Sequence, residues 1–350
     1  MKKIIKSQRS KISVIVSLLL LVLIFTIPVS AEPIIIKVAY PQAPILWDSP
    51  EENAAQAFKG FVDAHSGGEI QVELYPSGAL GSEREVMENL SSGLIEIQIL
   101  GSGAVALFLP EGQMYSLPYL YPSETVAWEV LDSQLTEELS NLLIERHQIR
   151  ILGLGEQGGF AATTNSRRPI RNADDWEGLK IRTMEDEKQM AMVEALGANP
   201  TPISWLETYT SLGTGVVDGQ LNPVPVILSG RIYEVQKYIT LDRHSYAVMW
   251  IVASEQFLQS LPGDLLNIVL EGGKQATIAS RGASRVKDAV GLEELKEYLE
   301  IYTPTEAEME TFRAHTQQPV LDWLKAQIDE VWIDKLFVEM EKAKTKFGYN

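Results

Sequence analysis

The chain has 350 residues, 45% of them hydrophobic, and its 47 acidic against 30 basic side chains give a formal net charge of −17. This acidic balance argues against nucleic acid or an anionic membrane surface as a partner. Cysteine is absent, which excludes disulfides, thiolate metal sites, cysteine nucleophiles and lipid attachment through a thiol.

The N-terminus has the pattern of a secretory signal peptide. Five cations precede an apolar run from Ile12 to Ile27, and Ser30 and Ala31 are small residues suited to a cleavage site. A retained membrane anchor is the alternative, but the run is short for a membrane span. Cleavage after Ala31 leaves 319 of the 350 residues and removes five positive charges, which takes the formal charge from −17 to −22. We therefore expect a soluble mature protein in the periplasm.

Strands and helices alternate through the first half of the chain. Apolar or alternating runs predict strands at residues 33–40, 69–76, 94–100 and 149–155. Capping residues and glycine stops predict helices between them, at 50–66, at 82–93 (with the capping box Ser82–Glu85) and at about 123–147. This alternation implies a largely parallel sheet.

The pattern then starts again. Strands are predicted at 159–166, 179–183, 216–222, 237–241 and 245–254, and helices at 185–197 and 204–215. Almost everything after Pro262 is helical, including a long amphipathic stretch from about Gly263 to Tyr298. The best architecture is two α/β lobes with C-terminal helices packed across both. Lobe I is predicted to hold 32–158 and about 245–287, and lobe II 159–244 and about 288–350.

Motifs for catalysis or cofactor binding are weak. "GLGEQG" (153–158) fits a dinucleotide fingerprint, but the β-like, Pro-broken "GFAATTNSRRPI" follows it instead of a helix. A glycine-rich hinge between the lobes is the preferred interpretation. The four histidines stand far apart, no G-x-S-x-G is present, and Asp174 and Asp175 are more typical of a turn than of a carboxylate dyad. We therefore expect no metal, no cofactor and no enzymatic activity.

Arg182 in "GLKIRT" is the leading candidate for ligand binding. It is predicted to lie where a strand gives way to a helix, at the sheet edge that binds ligands in open α/β folds. A surface salt bridge to the acidic residues that follow is the alternative. Asn222 in "DGQLNP" is placed at another strand end, or else caps the helix after Pro223. Trp205, at the start of a helix, is either a flat wall against a ligand or ordinary core.

Taken together, several segments resemble the substrate-binding proteins of TRAP (tripartite ATP-independent periplasmic) transporters, the family that includes dicarboxylate and sialic-acid binders. The matching stretches are "VELYPSGALGSEREVMENLSSGLIEI", "TTNSRRPIRNADDWEGLKIRT", "ALGANPTPISWLETYTSLGTGVVDGQLNP" and "YEVQKYITLDRH". The resemblance covers nearly the whole mature chain. It implies a periplasmic-binding-protein-like clamp of two α/β lobes, with several crossovers and a long helix spanning both.

The resemblance also implies roles for particular residues. Arg182 takes the position that forms a salt bridge to the ligand carboxylate, Asn222 helps to hold that carboxylate, and Trp205 packs on the ligand. Ser102, between two glycines, falls where other members place polar ligand contacts. Ala162 stands where sialic-acid binders carry a second arginine, which counts against sialate as the ligand.

Two further departures concern the surroundings of the site. "TMEDE" follows Arg182 where many members have Val-Pro, so the neighbouring loop is expected to differ. The branch of the family that binds keto acids with a metal uses a different element at "DGQLNP", so the resemblance implies no metal.

The leading hypothesis is a monomeric protein that captures an organic acid, of dicarboxylate or sugar-acid type, and delivers it to TRAP membrane subunits. A sensor module that presents its closed form to a receptor kinase is the alternative, and an exported enzyme on a binding-protein scaffold is a third. In each case, ligand is expected to favour a closed form of the clamp by population shift.

Overall fold

The computed structural model describes residues 32–349, so the predicted signal peptide lies outside the described residues. The strands are β1 (Ile34–Ala39), β2 (Ile70–Tyr75), β3 (Ile97–Leu100), β4 (Ile149–Phe160), β5 (Ala162–Asn165), β6 (Lys180–Thr183), β7 (Asn199–Pro202), β8 (Gly219–Asn222), β9 (Tyr238–Thr240), β10 (Tyr246–Ser254) and β11 (Glu300–Tyr302).

The α-helices are α1 (Pro50–His65), α2 (Glu83–Ser91), α3 (Ser102–Phe108), α4 (Glu124–Leu131), α5 (Gln134–His147), α6 (Glu187–Ala195), α7 (Trp205–Gly213), α8 (Val224–Ser229), α9 (Glu255–Ser260), α10 (Gly263–Leu295), α11 (Glu306–Lys325) and α12 (Glu330–Phe347). Short 3₁₀ helices include Pro110–Ser116 and Ala173–Trp176. Within residues 32–349, we find no helix both long enough and apolar enough to cross a membrane.

The first sheet has the strand order β2-β1-β3-β10-β4. Strands β1 and β3 are parallel, whereas β10 is antiparallel to both β3 and β4. The sheet is therefore mixed, and the expectation of a largely parallel sheet is wrong here because β10 returns from the second half of the chain. The caps of its helices are as predicted: Ser49 accepts from the Glu52 amide, and the Ser82–Glu85 capping box is complete.

The second sheet has the strand order β11-β9-β5-β8-β6-β7. Strands β6, β7 and β8 run parallel, so their carboxyl ends lie at one edge of the sheet. Arg182 pairs with Thr201 on one side and Gln220 on the other. The terminal strands β7 and β11 are absent from the sequence prediction. Both are short edge strands, and β7 contains two prolines, which a sheet accommodates at its edge.

Two adjacent segments connect the sheets. Strand β4 passes through Ala161 into β5, and the return connection from β9 to β10 lies beside it, with the Ala161 amide donating to the Ser245 carbonyl at 2.9 Å. Helix α10 spans 33 residues and packs against α1, β4 and α8. The predicted two-lobed fold with several crossovers and a long spanning helix is confirmed.

The glycines of the crossing strand serve mainly close packing. A Cβ on Gly153 or Gly155 would lie 2.1 and 2.2 Å from the hydroxyls of Thr277 and Ser280 on α10. Only Gly158 and Gly159 of this stretch have positive φ, at 95° and 93°. The interpretation of 153–158 as a flexible hinge is therefore incomplete, because the strand is bound tightly to the long helix.

The sequence predicts one long helix at about 123–147, and this prediction is wrong. The segment forms two helices, because α4 ends at Asp132 and α5 begins after Ser133. The Ser133 hydroxyl donates to the Val130 carbonyl at 2.6 Å, which stabilises the break. At the C-terminus, α11 packs on α6 of the second half and α12 packs on α4 of the first half.

Candidate functional site

Arg182 lies on the buried side of β6, with 3% of its surface exposed. Its Nε donates to the Ile203 carbonyl at 2.9 Å, and its guanidinium carbon lies 5.9 Å from the centre of the Trp205 ring. Among residues 32–349, no carboxylate forms a salt bridge with it within 4.0 Å. The surface salt bridge considered above is therefore not present, and the guanidinium fork keeps donors to offer.

Two carboxylates act on Arg182 from beyond hydrogen-bond distance. Burial lowers the pKa of Arg182 to about 10, against the opposing effect of Glu83 and Glu185. Burial likewise raises the pKa of Glu83 to about 7, although Arg182 and the Gly101 amide both favour its charged form. The Gly101 amide donates to Glu83 Oε1 at 3.4 Å. An arginine that stays charged thus faces a glutamate that titrates near neutral pH.

A small cavity of about 30 Å³ separates the two sheets at this point. The first half of the chain contributes Ser82, Glu83 and Gly103 to its wall, and the second half contributes Arg182, Met184 and Trp205. The volume is enough for about one water molecule, and far below the roughly 300–1,000 Å³ of a pocket for a drug-sized ligand. The walls must therefore move apart to admit an organic molecule.

The walls touch directly around this cavity. A Cβ on Gly103 would lie 2.7 Å from the Met184 Cβ, and a Cβ on Gly78 would lie 2.7 Å from a methyl group of Leu206. Glycine on the first half thus gives room for apolar side chains of the second half. The described conformation is accordingly a closed one.

Lys188 forms a further contact between the two halves. It lies in the first turn of α6, and only 4% of its surface is exposed. Its ammonium donates to the Ser116 carbonyl at 2.9 Å and hydroxyl at 2.7 Å, and its amide donates to Gln113 Oε1 at 3.2 Å. Asp186, also buried, lies 3.5 Å from the same ammonium. The segment "TMEDEK" after Arg182 therefore joins the site to the 3₁₀ helix of the first half.

Asn222 lies on the same face of the sheet as Arg182, because Arg182 pairs with Gln220 and side chains alternate along β8. Its Nδ2 donates to Gln220 Oε1, and Gln220 Nε2 donates to Thr164 Oγ1 at 2.8 Å. Pro223, rather than Asn222, occupies the N-cap position of α8. The helix-cap interpretation of Asn222 is therefore wrong, and its side chain is instead held in a polar row on the sheet. Asn222 does not line the small cavity.

Trp205 is the first residue of α7, as the sequence predicts, and it lines the cavity. Its contact with a ligand stays a prediction. A Cβ on Gly230 would lie 2.7 Å from its ring, so Gly230 leaves the space that the indole occupies. Ser102 is different. Its hydroxyl donates to the Val248 carbonyl at 3.4 Å and accepts from Trp250 Nε1 at 3.2 Å. Ser102 faces the first sheet, so its assignment to the site stays a prediction that these contacts do not support.

Sequence reasoning missed Glu83 and Glu51. Glu83 lies in the first turn of the capped helix predicted at 82–93, a position where acids are common. Glu51, fully buried on α1, accepts from Gln157 Nε2 at 2.6 Å, and burial raises the pKa of its carboxyl group. Only the spatial meeting of "GSER" with "KIRT" shows that Glu83 and Arg182 line the same cavity. In the part of the chain that is described, no three His, Asp or Glu side chains group as a cation site.

The fold and this cleft define a two-lobed α/β clamp for a small ligand. Residues 47–326 match the model of the bacterial extracellular solute-binding proteins, family 7. A solute-binding protein of Verminephrobacter eiseniae is 31% identical over 69% of this chain and 72% of its own. The chain belongs to this family, the solute-binding proteins of TRAP transport systems, which is a solute-binding family.

Two solved structures show the range of ligands among similar proteins. The sugar acid binding protein of Advenella mimigardefordensis, in complex with galactonate, superposes with a TM-score of 0.84 at 31% identity, over 90% of this chain and 100% of that one. A TRAP periplasmic solute-binding protein of Sulfurospirillum deleyianum with bound succinate gives 0.81 at 26% identity, over 87% and 99%.

Proposed function

We propose that this protein captures an organic acid between its two lobes, with Arg182 as the group that binds the ligand carboxylate. The observation that carries this proposal is a charged arginine, almost fully buried, that lines the cavity between the lobes without a carboxylate in salt-bridge contact. A planar guanidinium matches a carboxylate with two parallel hydrogen bonds. Closure excludes water and lowers the local dielectric, which strengthens the pair.

Other parts of the proposal concern the supporting residues and the lobes. Trp205 supplies a flat wall beside the guanidinium, and Asn222 supplies an amide donor on the same sheet face. Lobe I comprises 32–158 and about 245–287, and lobe II comprises 159–244 and about 288–350. The partition of β1 to β4 and β10 into one sheet, and of β5 to β9 and β11 into the other, supports the main parts of this division. Helix α12 packs on α4 of lobe I, so the C-terminal helices pack across both lobes.

The proposed setting is the periplasm, where a monomer, released from its signal peptide, delivers the acid to TRAP membrane subunits. Membership of the family supports this setting. No contact in the part of the chain that the structure covers favours the alternative of a sensor module for a receptor kinase.

The direct test of the proposed function is to identify what the protein carries. The protein purified from its native host should release an organic acid on denaturation, and mass spectrometry of the released fraction identifies it. Recovery of only neutral sugars at one molecule per protein would overturn the proposal.

Closure on ligand is expected to make the protein more compact in solution. The walls of the described cavity contact each other, so an open form must exist for ligand to enter. Small-angle scattering of the ligand-free protein should give a larger radius of gyration than scattering at saturating ligand. An equal radius in both states would contradict a closing clamp.

Lys188 is expected to stabilise the closed form. Replacing it with Met keeps the alkyl chain but removes the donors to Ser116, and it leaves buried Asp186 without its cation. Hydrogen bonds to charged groups contribute about 1.5–3 kcal/mol, so ligand affinity should fall about 10- to 150-fold. Calorimetric titration measures this change. Lys180→Met, which removes an exposed charge from β6, is the matched control, and equal affinities of the two variants would contradict the role of Lys188.

A further inference from the structure

Glu83 and Arg182 line the same small cavity from opposite lobes. No salt bridge within 4.0 Å joins them among the described residues, although each charge acts electrostatically on the other. A ligand that places its carboxylate on Arg182 therefore brings its next atoms close to Glu83. A ligand that fits this cavity needs a negative charge near Arg182 and a hydrogen-bond donor near Glu83.

The surroundings of Glu83 favour a ligand that places a hydrogen-bond donor, and not a negative charge, beside its carboxylate. Among residues 32–349, the Gly101 amide is the only donor to its carboxylate, at a long 3.4 Å. Glu185 from the second lobe and Glu51 from α1 add negative potential, while Arg182 opposes it. Arg84, the neighbouring cation, is exposed and bound to Glu88 at 3.2 Å. A second ligand carboxylate at this place meets Glu83 and Glu185 on the cavity wall, and the only lining cation besides Arg182, among the described residues, is Arg84, which is exposed and already bound to Glu88.

We infer that Glu83 is a specificity-determining residue that selects acids carrying a hydrogen-bond donor near the carboxylate, and that it rejects a second carboxylate there. This inference rests on the proposed function and narrows its substrate class. Hydroxy acids of the sugar-acid type supply both a carboxylate for Arg182 and a hydroxyl donor for Glu83. Amino acids supply the donor through their ammonium group. A dicarboxylate without a hydroxyl or ammonium group supplies the carboxylate for Arg182 but places a second negative charge beside Glu83. Like charges in contact destabilise a complex strongly.

A consequence of this arrangement is coupling to protons. Burial holds the pKa of Glu83 at about 7, so the carboxyl group is partly protonated at neutral pH. A dicarboxylate that binds beside Glu83 raises this pKa further, since a nearby negative charge disfavours the ionised form. Binding of a dicarboxylate should therefore take up protons near pH 7, and binding of a hydroxy acid should take up fewer.

The experiment compares erythronate, galactonate, serine and succinate as probes, by calorimetric titration at pH 8 of the parent and of Glu83→Gln. In the parent, the best probe with a donor should bind at least tenfold more tightly than succinate. In Glu83→Gln, that ratio should fall about tenfold or more, with succinate gaining affinity. Erythronate and galactonate against serine distinguish a hydroxyl from an ammonium donor.

Two further variants separate selection from a structural role. Glu83→Asp keeps the carboxylate and should retain the preference, whereas Glu69→Gln removes an exposed acid outside the cavity and should change the ratio less than threefold. Titration of succinate at pH 7 in buffers of different ionisation enthalpy should show proton uptake in the parent and less in Glu83→Gln.

The outcomes are distinguishable from a failure of the proposed function. If the parent binds acids through Arg182 but Glu83→Gln weakens all probes by one factor, the inference about Glu83 is wrong and the proposed function stands. The inference about Glu83 is also wrong if Glu83→Gln leaves unchanged the ratio between the affinities for the best donor probe and for succinate. If the parent binds none of the acids and Arg182→Ala has no effect on the native ligand, both proposals are wrong.

Discussion

Replacing Arg182 with Ala is expected to weaken ligand binding by a factor on the order of 30 to several thousand. The substitution leaves the ligand carboxylate without its counter-charge in a closed cleft, and losing one partner of a desolvated pair costs roughly 2–5 kcal/mol. Arg182→Lys keeps the charge but discards the planar fork, so its affinity should lie between those of Ala and the parent. Asn222→Ala should cost less than Arg182→Ala, because a neutral amide contributes less than a charged donor.

Calorimetric titration of these variants with the identified ligand is the measurement, and Arg168→Ala is the matched control. Arg168 is exposed, and its Nε donates to the Asp175 carbonyl at 2.9 Å, well outside the cavity. The ligand affinity of Arg168→Ala should lie within about threefold of the parent's, a difference below 1 kcal/mol. If Arg182→Ala also binds within threefold, the assignment of the carboxylate-binding role to Arg182 is wrong.

The largest loss of stability is expected from Glu156→Ala in the crossing strand. Glu156 is fully buried and accepts from Trp128 Nε1 at 2.8 Å, from the Tyr246 hydroxyl at 2.6 Å and from Arg285 Nε at 2.6 Å. Burial raises the pKa of Glu156 even beside Arg285, so forming the pair carries a high desolvation cost. Removing one partner still costs roughly 3–5 kcal/mol, since the remaining charge and donors stay buried without their acceptor.

Glu124→Ala is the control for this prediction. Glu124 lies 3.0 Å from the same guanidinium but nearer the surface, where an ion pair contributes about 0–1 kcal/mol. Denaturant unfolding of both variants at pH 7.5 gives the free energies of unfolding. A loss for Glu156→Ala no larger than that for Glu124→Ala would show that the buried network does not hold the crossing strand to α10.

Local patterns in the sequence were sufficient wherever the structure obeys local rules. Ser49 and Ser82 predict the starts of α1 and α2, and "LKIRT" predicts Arg182 near the end of a strand. The alternation places Arg182 on the face opposite Leu179 and Ile181, so it does not predict that Arg182 is buried. The break between α4 and α5 was missed because the apolar periodicity continues across Asp132 and Ser133, although both residues are suited to helix ends.

Other features arise only from contacts between distant segments. Glu83 and Arg182 are 99 positions apart, and nothing in "GSER" alone distinguishes a cavity-lining glutamate from a solvated helix start. Lys188 follows the acidic residues of "MEDE", a pattern typical of an exposed segment, yet closure buries it against Ser116. Strands β7 and β11 form because a neighbouring strand offers unpaired backbone groups, which intrinsic propensity does not reveal.

The central claim, capture of a carboxylate between the lobes, is tested most directly by a thermal-shift screen of acids against their neutral counterparts. Galactonate and galactitol, or erythronate and erythritol, differ mainly in the carboxylate that Arg182 is proposed to bind. An acid at about 100 times its dissociation constant should stabilise the protein by roughly 2.7 kcal/mol. We expect at least one acid to raise the melting temperature while its polyol leaves it unchanged. Stabilisation by the neutral polyols, with none from any acid, would contradict the account.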